Sequence, residues 1–452
     1  MKNINQKGIT LVSLVVTIIV IIIISAISLN TLVGQDGIIT KAREKKNNLE
    51  KQIIKDDIQE DVIEKTSDMI IEKNDLIEIL ENYGEIQYKG NGEIETVETE
   101  EGIIISLSEI LGNIEMLDKE FERNLLLDVA RRYYTIDEIK QYIDITATSN
   151  KARFQMHFSD DQNVGIECHY LDQTKENAIV TGNVYTNPAT GKNFLTYEQV
   201  EEIMAYCKEK NVTFIPEIEI PGHMKGFFDL ARIKFGDEFV DKFARGTGRE
   251  EGNIDIVQPE ADEFIIAIYD EYTEFFKECK YFHMGFDEYT YRIDEKIDYI
   301  NRMYKYLKEK GFVVCIWNDA ITKENIEQLN TDIYINYWQY NGSDYATVPD
   351  FQERGFKVQI TNPYYLFFVP SVNNTNEHDL NYTVEDIENN WTLHRWDLQN
   401  IRELDTYRNI LGGLICVWGE ESAGVENSVI LEQTTRMYNA MSKKLDIEWW
   451  GI

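Results

Sequence analysis

Asp287 and Glu288 stand side by side in the segment FHMGFDEYT, just past a short apolar run. Adjacent carboxyls suit acid–base chemistry, because one can deliver a proton to a leaving atom while the other steadies positive charge developing beside it. Each charge makes the other group harder to ionise, so the spacing predicts that one of the two keeps its proton near neutral pH. Gly285 gives the backbone the freedom to turn the pair out of a strand end. Most such pairs are solvated surface charge, so the company they keep must decide.

That company recurs with a fixed phase. Short apolar runs read as strands at Leu125 to Ala130, Arg153 to His157, Thr213 to Ile218, Tyr281 to Met284, Val313 to Trp317, Ile333 to Tyr337, Lys357 to Thr361 and Leu414 to Trp418. Amphipathic stretches lie between them, among them Thr135 to Ala147, Thr196 to Lys210, Ala261 to Lys277 and Asp294 to Glu309. Nearly every strand ends in polar or aromatic side chains: Arg131, then His157 and Asp160, then Glu217 and His223, then the carboxyl pair. Trp317 and Asp319, Trp338, Tyr364 and Tyr365, and finally Trp418 and Glu420 continue the series. Alternation of this kind predicts an α/β fold, a (β/α)8 barrel over residues 116–452, whose strand ends meet on one face.

With 45 Lys plus Arg against 80 Asp plus Glu, the formal charge is −35. Nucleic acid is thereby an improbable partner, since phosphate binding needs clustered positive charge. Hydrophobic content of 43% fits a well-buried globular chain rather than a disordered one. The five cysteines are scattered without metal-type spacing, so neither a disulfide framework nor a zinc site is indicated.

Residues 1–35 read as an address and an anchor. No charge interrupts Gly8 to Gln35, and Ile9 to Ile27 is long and apolar enough to cross a bilayer as a helix. Lys2 and Lys7 before it predict a cytoplasmic N-terminus and an outward-facing remainder, a membrane-anchored chain displayed at the cell surface. The string KGITLVSLVVTIIVIII resembles a type IV prepilin leader, which implies cleavage between Gly8 and Ile9 and a possible association with pilin-like subunits; Ser13 departs from the glutamate usual there. Residues 36–115 read as a charged helical stalk followed by a small β-containing module with an Asn91-Gly92 hairpin signal.

From about Leu125 onward the chain resembles glycoside hydrolase family 20, the β-N-acetylhexosaminidases. The motifs run in order: DVARRYY from Asp128, MHFSDDQN from Met156, FIPEIEIPGH from Phe214, FHMGFDE from Phe282, IWNDA from Ile316, NYWQY from Asn336, NPYYL from Asn362 and VWGEE from Val417. The resemblance implies substrate-assisted catalysis, in which the sugar's own 2-acetamido oxygen attacks the anomeric carbon and retention follows through an oxazolinium. Asp287 would polarise the acetamido N–H, Glu288 would serve as acid and then base, and Tyr365 would bond the acetamido oxygen. Arg131 and Glu420 would bind sugar hydroxyls, Trp317, Trp338 and Trp418 would wall the pocket, and Asp160 and His223 would support it or bind hydroxyls. No metal or organic cofactor is implied. Phe286 stands where the family usually has a second glycine.

Within the family the runs NPYYLFFVPS and NNWTLHRWD look most like the dispersin-type enzymes of poly-β-1,6-N-acetylglucosamine. The expected partner is accordingly an N-acetylglucosamine-containing poly- or oligosaccharide. A silent, sugar-binding pilin-like adhesin is the competing class, and retention of the proton donor Glu288 argues for the enzyme.

Overall fold

The structure is a computed structural model and describes residues 17–23, 38–65, 70–88, 94–100, 102–112, 115–117, 121–245, 251–289, 291–292, 295–319, 321–338, 344–374, 377–397, 401–405 and 407–450. The chain divides into two compact units, Met1–Lys119 and Glu120–Ile452.

In the first unit, a helix over Ile38–Lys65 carries Ile54, Ile58 and Val62 at four-residue spacing, which places them on one face. Ile58 and Val62 are fully buried in a small core with Leu76, Leu80, Val97 and Ile105. The latter half of the expected stalk is therefore part of a folded module rather than a solvated spacer. Strands Glu85–Tyr88 and Ile94–Glu98 pair antiparallel as the hairpin signal predicts, and Ile104–Ser106 adds a third strand. The Asn91-Gly92 turn lies outside the described residues, as do Gly8, Ile9 and most of the expected membrane span. Residues 17–23 are helical, with the side chains of Ile18 to Ile23 about half exposed, and among the described residues no helix is long and apolar enough to cross a membrane.

The second unit is a closed α/β barrel of eight parallel strands: β1 (Glu122–Asp128), β2 (Arg153–His157), β3 (Thr213–Glu217), β4 (Tyr281–His283), β5 (Val313–Trp317), β6 (Tyr334–Tyr337), β7 (Lys357–Ile360) and β8 (Ile410–Val417). Consecutive strands neighbour one another, and β8 closes the ring by pairing with both β7 and β1. At that seam Gly412 takes a φ of +152°, and a Cβ there would sit 2.0 Å from the Glu122 carbonyl oxygen, so only glycine admits the approach. Alternation along each strand sends one set of side chains outward to the helices and the other into the axis. On β1, Leu125 and Leu127 join the large outer core while Leu126 packs with Trp317, Leu414, Cys416 and Trp418.

Outer helices begin where the sequence provides caps. Thr135 and Glu138 form a capping box at α1 (Ile136–Thr146), and Thr196 and Gln199 do so at α2 (Tyr197–Glu209). α3 (Pro259–Phe275) starts with proline in its first turn, and α4 (Lys296–Glu309) follows β4. After β5 the crossover holds only a 3-10 turn, Ile326–Gln328, among its described residues. The axis itself is polar: Asn124 donates to Gln359 at 2.8 Å, Asn336 to Gln155 at 3.2 Å, and Gln155 to Glu217 at 2.8 Å. These bonds tie the buried amides to one another across the barrel, although the Nε2 of Gln359 has no acceptor among the described residues.

Candidate active site

At the C-terminal mouth of the barrel a cavity of about 190 Å3 is lined by Arg131, Asp287, Glu288, Trp317, Trp338, Phe367, Val369, Trp418 and Glu420. Seven of these are residues expected from the strand ends. Tyr365 is not in the lining; it sits on the short helix Pro363–Leu366, two residues before Phe367, and is 7% exposed. Asp160 and His223 lie one layer behind the wall.

The indoles are fixed from behind. Trp317 donates its Nε1–H to Glu217 at 2.8 Å, its ring centroid lies 6.1 Å from that of Trp418, and Trp338 stacks on Phe367 at 5.9 Å. Arg131 sits over Trp418 at 5.4 Å and is itself held by Asp128 at 3.0 Å and Asp160 at 2.6 Å. Asp128 also accepts from the backbone N–H groups of Ala130, Arg131 and Gly419, tying the first strand end to the last. Such over-determined support is what keeps a guanidinium fork aimed at a ligand.

Beneath the cavity runs a buried charged network. His157 lies 3.0 Å from Asp160 and 3.3 Å from Glu217, and His283 lies 3.3 Å from Glu217. Burial alone would push Asp160 and Glu217 up, yet Arg131 in the first case and His283 and His157 in the second hold each near 2. His157 responds in kind: burial opposes its charge, but Glu217 and Asp160 push it to about 10. Two groups, His157 with Glu217 and Glu219, and Asp160 with Asp161 and His223, bring ligand-type atoms together. In both, protein donors already occupy the carboxylates, with Arg131 on Asp160 and with Trp317 and Gln155 on Glu217.

The carboxyl pair rides on a turn with unusual backbone. Gly285, Phe286 and Glu288 have φ of +77°, +85° and +48°. Gly285 is required, since a Cβ there would meet the Glu219 carboxylate at 2.0 Å. Phe286 adopts the same left-handed region despite its side chain, which is buried against Tyr289 and Tyr299. Asp319 accepts the Glu288 N–H at 2.8 Å and fixes the end of the turn. His223 faces both catalytic candidates, with Nε2 at 3.8 Å from Asp287 and 3.6 Å from Glu288, while Nδ1 lies 3.1 Å from Asp161.

One expectation is overturned here. Glu288 is not raised by its neighbour but lowered, because its hydrogen bond with His223 outweighs burial. The raised carboxyls are others: burial, then the Asp287 charge, pushes Asp319 to about 8 and lifts Glu219 well above the carboxylate range. Glu420 is raised too, chiefly by burial, with Arg131 opposing. Glu219, Asp161, Asp128, Phe367 and Val369 were not among the site residues expected from sequence. Glu219 and Asp161 sit within motifs already singled out, PEIEIPGH and FSDDQ, where a second acid follows the first, two residues on in one and directly in the other.

The profile of the glycosyl hydrolase family 20 catalytic domain matches residues 122–296 and 292–430, most of the barrel. The chain belongs to glycosyl hydrolase family 20. This family 20 chain is 31% identical to Dispersin B in its crystal structure, with a TM-score of 0.68 over 72% of this chain and 99% of that one. It is 28% identical over 263 residues to a lacto-N-biosidase of Bifidobacterium bifidum, covering 52% of this chain and 22% of that protein. It is 32% identical over 170 residues to a beta-hexosaminidase of Porphyromonas gingivalis, covering 37% and 21%. The chain thus spans about a fifth of the length of these two curated relatives. Family and cavity together make the barrel a glycoside hydrolase of the β-hexosaminidase family.

Proposed function

We propose that this family 20 barrel is a retaining β-N-acetylhexosaminidase that cleaves N-acetylglucosamine linkages, with poly-β-1,6-N-acetylglucosamine as its substrate class. The observation that carries the reading is the single cavity in which Asp287 and Glu288 face three indoles and Arg131. Apolar indole walls suit the methyl of a 2-acetamido group and the face of a pyranose, and the two carboxyls in the same lining supply an acid and an orienting group. Asp287 orients the acetamide N–H so that its oxygen reaches the anomeric carbon; Glu288 protonates the leaving oxygen and later takes a proton from water. Tyr365 acts on the acetamide oxygen from the wall beyond Phe367. In the free protein His223 holds Glu288 low; a sugar that covers it removes water and raises it toward the protonated form the first step requires. Likeness to Dispersin B over nearly all of that chain supports the polymer class.

Release of nitrophenol from a nitrophenyl N-acetyl-β-glucosaminide tests the activity. Glu288→Gln is expected to lose about 10²–10⁴-fold in turnover while still binding N-acetylglucosamine. Absence of turnover in the unaltered protein, with sugar binding intact, would make it a binding protein instead. Comparison of β-1,6 and β-1,4 oligomers tests the linkage, and dominant β-1,4 cleavage defeats the polymer assignment.

We also propose display at the cell surface through the apolar N-terminal segment, on the strength of Lys2 and Lys7 preceding the run from Ile9. Mass measurement of the mature N-terminus checks it: a chain starting at Ile9 supports prepilin-type processing, whereas a cut near Ser28 points to a secreted form.

A further inference from the structure

Glu219 lies behind the catalytic turn with no exposed surface, and its surroundings are specific. Its Oε1 accepts the Phe286 N–H at 2.8 Å, and its backbone N–H donates to Ser159 Oγ at 2.9 Å. Its Oε2 has no donor among the described residues, and neither has the buried Oδ1 of Asp287. The charge of Asp287 is near enough to raise Glu219. Two ionised carboxylates could not bond to one another, because both are acceptors only; a bond between the two unmet oxygens requires one proton. An unmet buried acceptor on each side would otherwise remain, at a cost native structures rarely carry.

Resting on the assignment of Asp287 above, we propose that Glu219 is a positioning residue that shares one proton with Asp287, fixing Asp287 Oδ1 inward so that Oδ2 points to the substrate. The same carboxyl, through its other oxygen, pins Phe286 in its left-handed conformation. Glu219 thus sets both the backbone and the side-chain angle of the catalytic turn.

The groups facing Glu219 favour holding the proton. Glu217 lies two residues away on its own chain segment, Asp287 faces it from the turn after β4, and the buried phenols of Tyr269 on α3 and Tyr299 on α4 feel its charge. His157 on β2 is the nearby cation; its Nε2 is bonded to Asp160, and its Nδ1 lies 3.3 Å from Glu217. Asp287 has His223 3.8 Å from its outer oxygen, so the proton of the pair sits on Glu219. Burial, the Asp287 charge and then Glu217 raise Glu219, with the Phe286 N–H alone opposing.

Infrared spectra of the full chain at neutral pH, compared with Glu219→Gln, test this without reference to turnover. The variant is expected to lose one protonated-carboxyl C=O band, while Asp319→Asn removes a different one. Identical carboxyl bands in the unaltered chain and Glu219→Gln would overturn the proposal. On the nitrophenyl substrate, Glu219→Gln, whose amide can donate to Asp287 and accept from Phe286, is expected to lose about tenfold in kcat, against about 10²-fold or more for Glu219→Leu, the scale of a misplaced reacting group. Equal kcat in the Leu variant and the unaltered chain would also overturn it. Lack of turnover in every form defeats the hexosaminidase reading and leaves the infrared result to decide the shared proton.

Discussion

At the scale of single residues, the site separates two jobs that the sequence places on adjacent carboxyls. Glu288 is largely exposed, paired with His223, and lowered in the free protein; the charge of Asp287 helps raise two further acids, Glu219 and Asp319. Glu288 is not the raised member of the pair, because its hydrogen bond with His223, whose Nε2 lies 3.6 Å away, outweighs burial. If Glu288 must be protonated for the first step, kcat/KM falls as pH rises through its free-protein value. Replacing His223 removes the charge that lowers that value. His223→Asn, which tolerates the φ of +48° found there, is therefore expected to move the alkaline limb of kcat/KM to higher pH, read from the pH profile on the nitrophenyl substrate. An alkaline limb that stays put or moves to lower pH would remove His223 from that role.

At the scale of elements, the strand ends are legible because each parallel strand is a short apolar run that stops at a polar side chain, and closure of the ring does the rest. Arg131, Asp287, Glu288, Trp317, Trp338, Trp418 and Glu420 could be picked out on that ground and do meet around one cavity. Glu219 could not, because in PEIEIP two glutamates alternate alike, and only the turn after β4 tells them apart. The segment KENIEQLN after β5 offers no sustained apolar period, in keeping with the 3-10 turn found where a helix is the rule. The turn at β4 allows a decision by magnitude. Phe286→Gly relieves a left-handed strain of about 1–3 kcal/mol but forfeits the packing of a buried phenylalanine, about 3–5 kcal/mol for truncation to Ala. Loss of packing wins, so the variant is expected to be less stable by roughly 2 kcal/mol, measured by chemical denaturation.

At the scale of the whole molecule, stability depends on pH through a buried acid beneath the cavity. Asp319 holds its proton in the folded state up to about 8, against 3.8 for the ordinary side chain, so the native form binds a proton that the unfolded chain releases in between. Its contribution is complete below about 4 and is lost as pH rises toward 8. Asp319→Asn, whose amide oxygen still accepts the Glu288 N–H, is expected to flatten the decline of the melting temperature over that window; an unchanged slope would assign the decline to other groups. The folded N-terminal module was less legible than the barrel, because a run as charged as KAREKKNNLEKQIIKDDIQEDVIEK hides the few isoleucines and valines that bury. The closing strand carries a consequence of its own. Because Trp418 and Glu420 follow β8, and β8 lies between β7 and β1, a growing polypeptide has no enclosed sugar slot until that strand has emerged and seated itself. A ribosome that halts before Ile410 releases a chain without the strand that joins the two ends of the ring, and without the indole and carboxyl that finish this wall.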